Sequence, residues 1–193
     1  VAGTLRIGSY SSVFRSVVIP ALSPLLKEYP NILCEFSCAD MSDLHGMLQR
    51  AEVDFIMMDY KHDQENLRAE IIGQEKFVVI ESKNPSDRDD IFLDNDTNDR
   101  ATELFFKHQK KKTPKYRRSY FDDCYGIIDG VKAGLGKAVM SEHLVKGDKS
   151  LRIVNGYKPY QRDVVLHYYK QPFHSRLHQA VIETLASNSR GHL

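Results

Sequence analysis

The chain has 193 residues, with 27 Lys and Arg against 26 Asp and Glu, and a formal net charge of +1. Hydrophobic residues make up 41% and charged residues 27%, enough apolar material for a packed core and too much for a disordered segment. The balanced charge argues against a whole-chain nucleic-acid-binding module, and no apolar run nears the ~20 residues that a membrane-crossing helix needs.

On length, the chain holds one domain or two small lobes. It starts at Val1 with no initiator Met and none of the basic and apolar regions of a signal peptide, which reads as a fragment of a longer, cytoplasmic protein. Three cysteines, Cys34, Cys38 and Cys124, are too few and too odd in number for a disulfide framework and suit a reducing compartment. Cys34 and Cys38 fall on one face of a strand, roughly 13 Å apart at ~3.3 Å per residue, too far for a disulfide. All three read as small, partly buried side chains.

Thr4–Gly8 alternates apolar and polar residues and predicts a strand. After the loop Ser9–Ser12, two apolar rows at helical spacing follow: Val13, Val17, Ala21 and Leu25, with Phe14, Val18, Leu22 and Leu26 beside them. Pro20 and Pro24 lie inside this helix and predict a kink or break. Ile32–Cys38 is a second strand, a helix runs through Leu44, Met47 and Leu48, and Asp54–Met58 is apolar enough for a buried parallel strand. This β-α-β-α-β order predicts a doubly wound unit whose strand ends face one crevice.

Further on, Ile71–Ser82 is extended around Gly73, and Ile91–Leu93 is a short strand in an acidic, turn-rich stretch. A helix runs through Ala101, Leu104, Phe105 and His108, and the basic run Lys110–Arg118 leads to a strand ending at Tyr120–Phe121. Asp122 or Asp123 opens the helix Tyr125–Ala133, which Gly134 stops. Lys137–Met140, Leu151–Val154 and Asp163–Tyr169 are strands, and Ser175–Ala186 is a last amphipathic helix. That helix has no strand after it, and its apolar face needs a home on the first lobe. The fold class is therefore α/β with two lobes, 1–73 plus 167–193 and 74–166, and a central cleft.

The Ser9–Ser12 loop joins a strand's carboxyl end to a helix N-terminus, where open sheets bind ligands and where free N–H groups favour anions. Ser9, Ser11 and Ser12 are the leading candidates there; the bland alternative is a serine that caps its helix. Met41 and Ser42 occupy the equivalent second loop. Asp59 follows the third strand, where an acid disfavours an anion or takes a cationic part of a ligand. Asp123, Cys124 and Tyr125 precede a helix in the second lobe.

Other motifs read as structural. Gly134–Lys137 has a helix before the glycines, the reverse of a phosphate loop. His174 and His178 have metal-ligand spacing but no third partner in sequence. The basic run reads first as a solvated helix end, with auxiliary contact to acidic groups of a partner subunit or DNA as the alternative. No spacing suggests catalysis, a metal or a cofactor, and the chain is not read as an enzyme.

Thr4-Leu5-Arg6-Ile7-Gly8, the serine loop, the Pro20…Leu25…Tyr29-Pro30 spacing, Leu44…Leu48…Val53-Asp54 and the string Gly130-Val131-Lys132-Ala133-Gly134-Leu135-Gly136-Lys137-Ala138-Val139-Met140-Ser141 resemble the effector-binding domain of LysR-type transcriptional regulators. The order agrees across nearly the whole chain, with Lys137 and Ser141 departing from the family's usual apolar residue and Pro. The resemblance implies two Rossmann-like lobes of the type 2 periplasmic-binding-protein kind. It implies a small, polar or anionic effector in the cleft, contacted at the position matched by Ser12. It also implies pairing into a homodimer or tetramer, with the first helix of one chain against the second lobe of the other. DNA would be reached through an N-terminal winged helix-turn-helix that this chain lacks, with no membrane involved. A solute-binding protein of a transporter, or an enzyme of the same fold, are the competing readings.

Overall fold

Leu5 and Ile7 alternate into the core on β1 (Gly3–Ser9), and the chain then turns into a helical run. This run is continuous: α1 (Ser11–Val13), a π-helical stretch at Phe14–Val18, and α2 (Ile19–Glu28). The break expected at the prolines does not occur. Pro20 falls in the first turn of α2, directly after the widened π turns, where its missing N–H is tolerated, and α2 carries Pro24 through to Glu28.

β2 (Ile32–Cys38), α3 (Met41–Gln49) and β3 (Phe55–Met58) follow. β1 lies between β2 and β3, parallel to both. Every residue of β3 is buried. Phe55 and Met57 join the cluster under α2, while Ile56 and Met58 join Leu44 and Leu48 of α3. This two-sided burial is why the strand reads as a continuous apolar run. α3 passes so close to β1 that a Cβ on Gly8 would meet Leu44 Cδ2 at 3.1 Å.

The rest of the chain is β4 (Leu67–Ser82), β5 (Ile91–Asp94), α4 (Ala101–His108), β6 (Arg117–Tyr120), α5 (Cys124–Lys132), β7 (Ala138–Ser141), α6 (Glu142–Val145), β8 (Leu151–Ile153), β9 (Tyr160–Tyr169) and α7 (Arg176–Asn188), closing with a 3-10 turn at Ser189–His192. The computed structural model describes Val1–Leu193, and the chain divides into two units: Val1–Glu75 with Arg162–Leu193, and Lys76–Gln161.

In the first unit β9 runs antiparallel to β3 and has β4 on its other side. α7 buries Leu177, Val181 and Leu185 in the same cluster as α2, and Asn188 Nδ2 donates to Ala21 O (3.1 Å). The apolar rows of the first helix are largely consumed here: Val13, Val17, Val18, Ala21 and Leu22 have no exposed surface. The second row is drawn into this unit's own core as well, with Val18 and Leu22 in the buried cluster and Phe14 packed partly buried against it. β2 has one neighbour in the sheet, β1, and its edge position exposes Leu33, Cys34 and Cys38. The two cysteines are therefore surface groups, not the partly buried ones expected.

In the second unit the later half of β4 pairs antiparallel with β7 and β8, and β5 pairs parallel with β6. Asp123 caps α5, accepting from Tyr125 N (2.9 Å) and Gly126 N (3.0 Å). At the other end Gly134 N donates to Val131 O (2.9 Å) and Leu135 N to Gly130 O (3.0 Å), a Schellman closure with Gly134 at φ 75°. A Cβ on Gly136 would lie 2.7 Å from Ile91 O, so the second glycine lets β5 approach. The glycine string is packing, as its helix-first order indicates.

Candidate functional site

β1 ends in Ser9, which is fully buried with Oγ donating to the Tyr10 carbonyl (3.2 Å). It supports the loop from below. Tyr10 is the N-cap residue of α1 and lends its first turn no side-chain acceptor. Its hydroxyl instead donates to Glu75 Oε2 (3.0 Å), and Ser12 Oγ donates to Glu75 Oε1 (3.3 Å). Glu75 is only 1% exposed. Burial first, and then the Glu75 carboxylate, push the Tyr10 phenol well above its ordinary range, so Tyr10 stays a donor.

Asp59 follows β3 in the same unit. Its carboxylate is paired with Arg162. Burial raises its pKa, the Arg162 charge opposes that, and Glu75 adds to it. The charges of Asp59 and Arg162 act in opposite senses on the Tyr10 phenol, so the Tyr10 and Ser12 contacts to Glu75 and the Asp59–Arg162 pair make up one electrostatic group. Glu75 is the last residue of this unit before the chain leaves it, and Arg162 is the first after its return. Gln74 Nε2, next to Glu75, donates to Asp163 Oδ1 (2.8 Å).

Three histidines hold the loop that carries Asp59. His62 N donates to Nε2 of His167, a fully buried residue of β9 (3.0 Å). The His62 ring lies against that of His45 of α3, tilted by 42° with centroids 4.2 Å apart, and Gln64 Nε2 lies 3.3 Å from His45 Nε2. Burial lowers the pKa of both His167 and His45, and the His167 contact requires the neutral ring.

Of the residues singled out in the sequence, Ser9, Ser11 and Ser12 lie at the β1 exit, and Asp59 joins Ser12 through this electrostatic group. Met41 is half-buried and Ser42 exposed, both in the first turn of α3. Asp123 and Tyr125 belong to the second unit, where Asp123 serves as a helix cap and Tyr125 packs beside that unit's core. Ser175 caps α7, its Oγ accepting from His178 N (3.2 Å), and His178 Nδ1 lies 2.7 Å from the same oxygen. Sequence reasoning missed Tyr10, Glu75 and Arg162. Tyr10 sat inside the loop already singled out. Glu75 and Arg162 carry no local signal, since each is one charged residue in a mixed strand.

The same arrangement of elements occurs in solved LysR-type regulators. ArgP from Mycobacterium tuberculosis superposes with a TM-score of 0.81 at 12% identity, covering 99% of this chain and 69% of that one. LysG from Corynebacterium glutamicum with bound effector Arg gives 0.75 at 11% identity, covering 96% and 67%. The CcmR regulatory domain of Synechocystis PCC6803 in complex with 2-PG gives 0.78 at 17% identity, covering 97% of each chain. No curated protein matches the chain by sequence. The family model for the LysR substrate binding domain, by contrast, matches residues 1–190. It runs through both units and every strand described above, and the chain belongs to that family, the effector-sensing domains of LysR-type transcriptional regulators.

Proposed function

We propose that this domain senses its effector at the Tyr10–Ser12 loop and Asp59, and that the effector acts on the two strands by which the chain leaves and re-enters the first unit. The observation that carries this is the placement of Glu75 and Arg162. Each stands at a crossing point, and each is held by candidate effector residues, Glu75 by Tyr10 and Ser12 and Arg162 by Asp59. A ligand that takes over one of these contacts changes how a crossing strand is tethered, which is the differential interaction a two-state switch needs. Ser12 directs its hydroxyl hydrogen at Glu75, so a polar ligand with its own N–H or O–H donors suits this point better than a bare anion. Family membership favours this regulator over a transporter's solute-binding protein.

Two chemically different molecules, Arg and 2-PG, occupy LysG and CcmR. Both belong in a first ligand panel scored by thermal shift. For whichever compound raises the melting temperature, Ser12→Ala is expected to weaken binding about 2- to 10-fold, the loss of one hydrogen bond, and Asp59→Asn to weaken it as well. Calorimetry showing unchanged affinity in both variants overturns the site.

We also read the domain as one half of a homodimer. Its support is the open edge of β2, where Leu33 is 67% exposed, and the 40% exposure of Ile19 on α2, rather than the buried apolar rows of the first helix.

A further inference from the structure

The basic run after α4 has a use that effector sensing does not absorb. Between Glu103 and Asp122 the sequence carries Lys107, Lys110, Lys111, Lys112, Lys115, Arg117 and Arg118 and no acid. The structure divides them by role. Arg117 forms a fork with Asp90 (2.7 and 3.0 Å) and Arg118 pairs with the buried Asp94, so the arginines tie down β6 and use the nearby carboxylates. The five lysines are all exposed.

The loop that bears them is held at both ends. Gln109 is buried; its Nε2 donates to Lys158 O (2.7 Å) and its Oε1 accepts from Lys158 N (2.8 Å). Tyr116 packs its ring against Phe92 and Phe106, with centroids 5.3 and 5.5 Å away. In between, Lys111 Nζ reaches Gly156 O (3.3 Å). Lys158, also exposed, brings a sixth ammonium group, from a turn (Asn155–Gln161) that contains no acid. A helix end that merely frays into solvent would not need a buried glutamine and an aromatic plug to fix the loop beyond it.

We infer that this loop is a sequence-independent contact for the phosphate backbone of duplex DNA. The lysines are all exposed, whereas holding a single small anion calls for buried, converging polar groups. Lysine ammoniums are hydrated, mobile point charges that suit a dense polyanion, and duplex DNA offers one charge per about 1.7 Å of axis. Protein–protein interfaces are depleted in Lys, and this surface is rich in it. Such contacts position a protein on DNA without reading bases, which is consistent with the near-zero net charge of the domain as a whole and with its membership of a family of DNA-binding regulators.

The test is fluorescence anisotropy of the 193-residue chain with a labelled duplex of arbitrary sequence. With four lysines on phosphates, the slope of log K against log salt is about −3.6, a loss of roughly 150-fold between about 50 and 200 mM. The variant K110Q/K111Q/K112Q/K115Q is expected to abolish this binding with its melting temperature unchanged, because the side chains are exposed. The matched variant K27Q/K83Q/K146Q/K149Q is expected to keep the wild-type slope. No binding at the low-salt end overturns the inference. So does equal loss in the two variants, or competition by poly-glutamate as effective as that by unlabelled DNA at equal charge, which would make the surface a general acid-binding one.

Discussion

Tyr10→Phe removes one oxygen and creates no void, yet it strips a donor from a carboxylate that is 1% exposed. The lost bond is 3.0 Å long and its acceptor is charged, so the cost is about 1.5–3 kcal/mol. Ser12 remains as a donor to Glu75, but at 3.3 Å it does not compensate. In a domain of this size that cost corresponds to a fall in melting temperature of about 3–12 °C. Glu75→Gln removes the charge while keeping an acceptor, so in that background the Tyr10→Phe change should cost only the roughly 0.5–1.5 kcal/mol of a neutral hydrogen bond. Urea unfolding followed by circular dichroism on the wild type, the two single variants and the double variant closes the cycle, and the expected coupling is on the order of 1 kcal/mol. The reasoning fails if Tyr10→Phe lies within about 0.5 kcal/mol of wild type, the scatter of ordinary surface substitutions. It also fails if the two changes are additive, because Tyr10 would then not be what holds Glu75.

Stability should fall as pH drops from about 7 to 5.5. His167, His45 and His178 have folded pKa values lowered by burial, so below about 6.5 the unfolded chain binds protons that the folded chain refuses. The slope is at most about 1.4 kcal/mol per pH unit for each such histidine. Denaturation midpoints measured across this range check it: His167→Gln should flatten the curve, and a flat wild-type curve would refute the buried neutral rings. Light scattering is expected to show a dimer of the wild-type chain, and Leu33→Lys, which places a charge on the open edge of β2 without touching the core, should shift it toward monomer; a monomeric wild type at high concentration rules the homodimer out.

Local pattern alone decides much of this molecule. The alternation in β1, the helical rows after Ser12, the four apolar residues of β3, the Asp123 cap and the Gly134 closure of α5 are each set by residues within one or two turns of one another. The short-range rules of strand, helix and cap therefore suffice to read them. The π-helical passage before Pro20 was not legible, because two prolines in a helix pattern signal a break unless widened turns stand before them. The exposure of Cys34 and Cys38 depends on β2 having one neighbour instead of two, a property of the sheet and not of the strand. The polar group at the candidate site lies furthest from local signals. Ser12 meets Glu75 across 63 positions of sequence, and Asp59 meets Arg162 from another strand. No spacing rule links such residues, because what joins them is the register of β4 and β9 against the β1 and β3 ends, and that register is fixed by burying the apolar faces of the whole sheet at once.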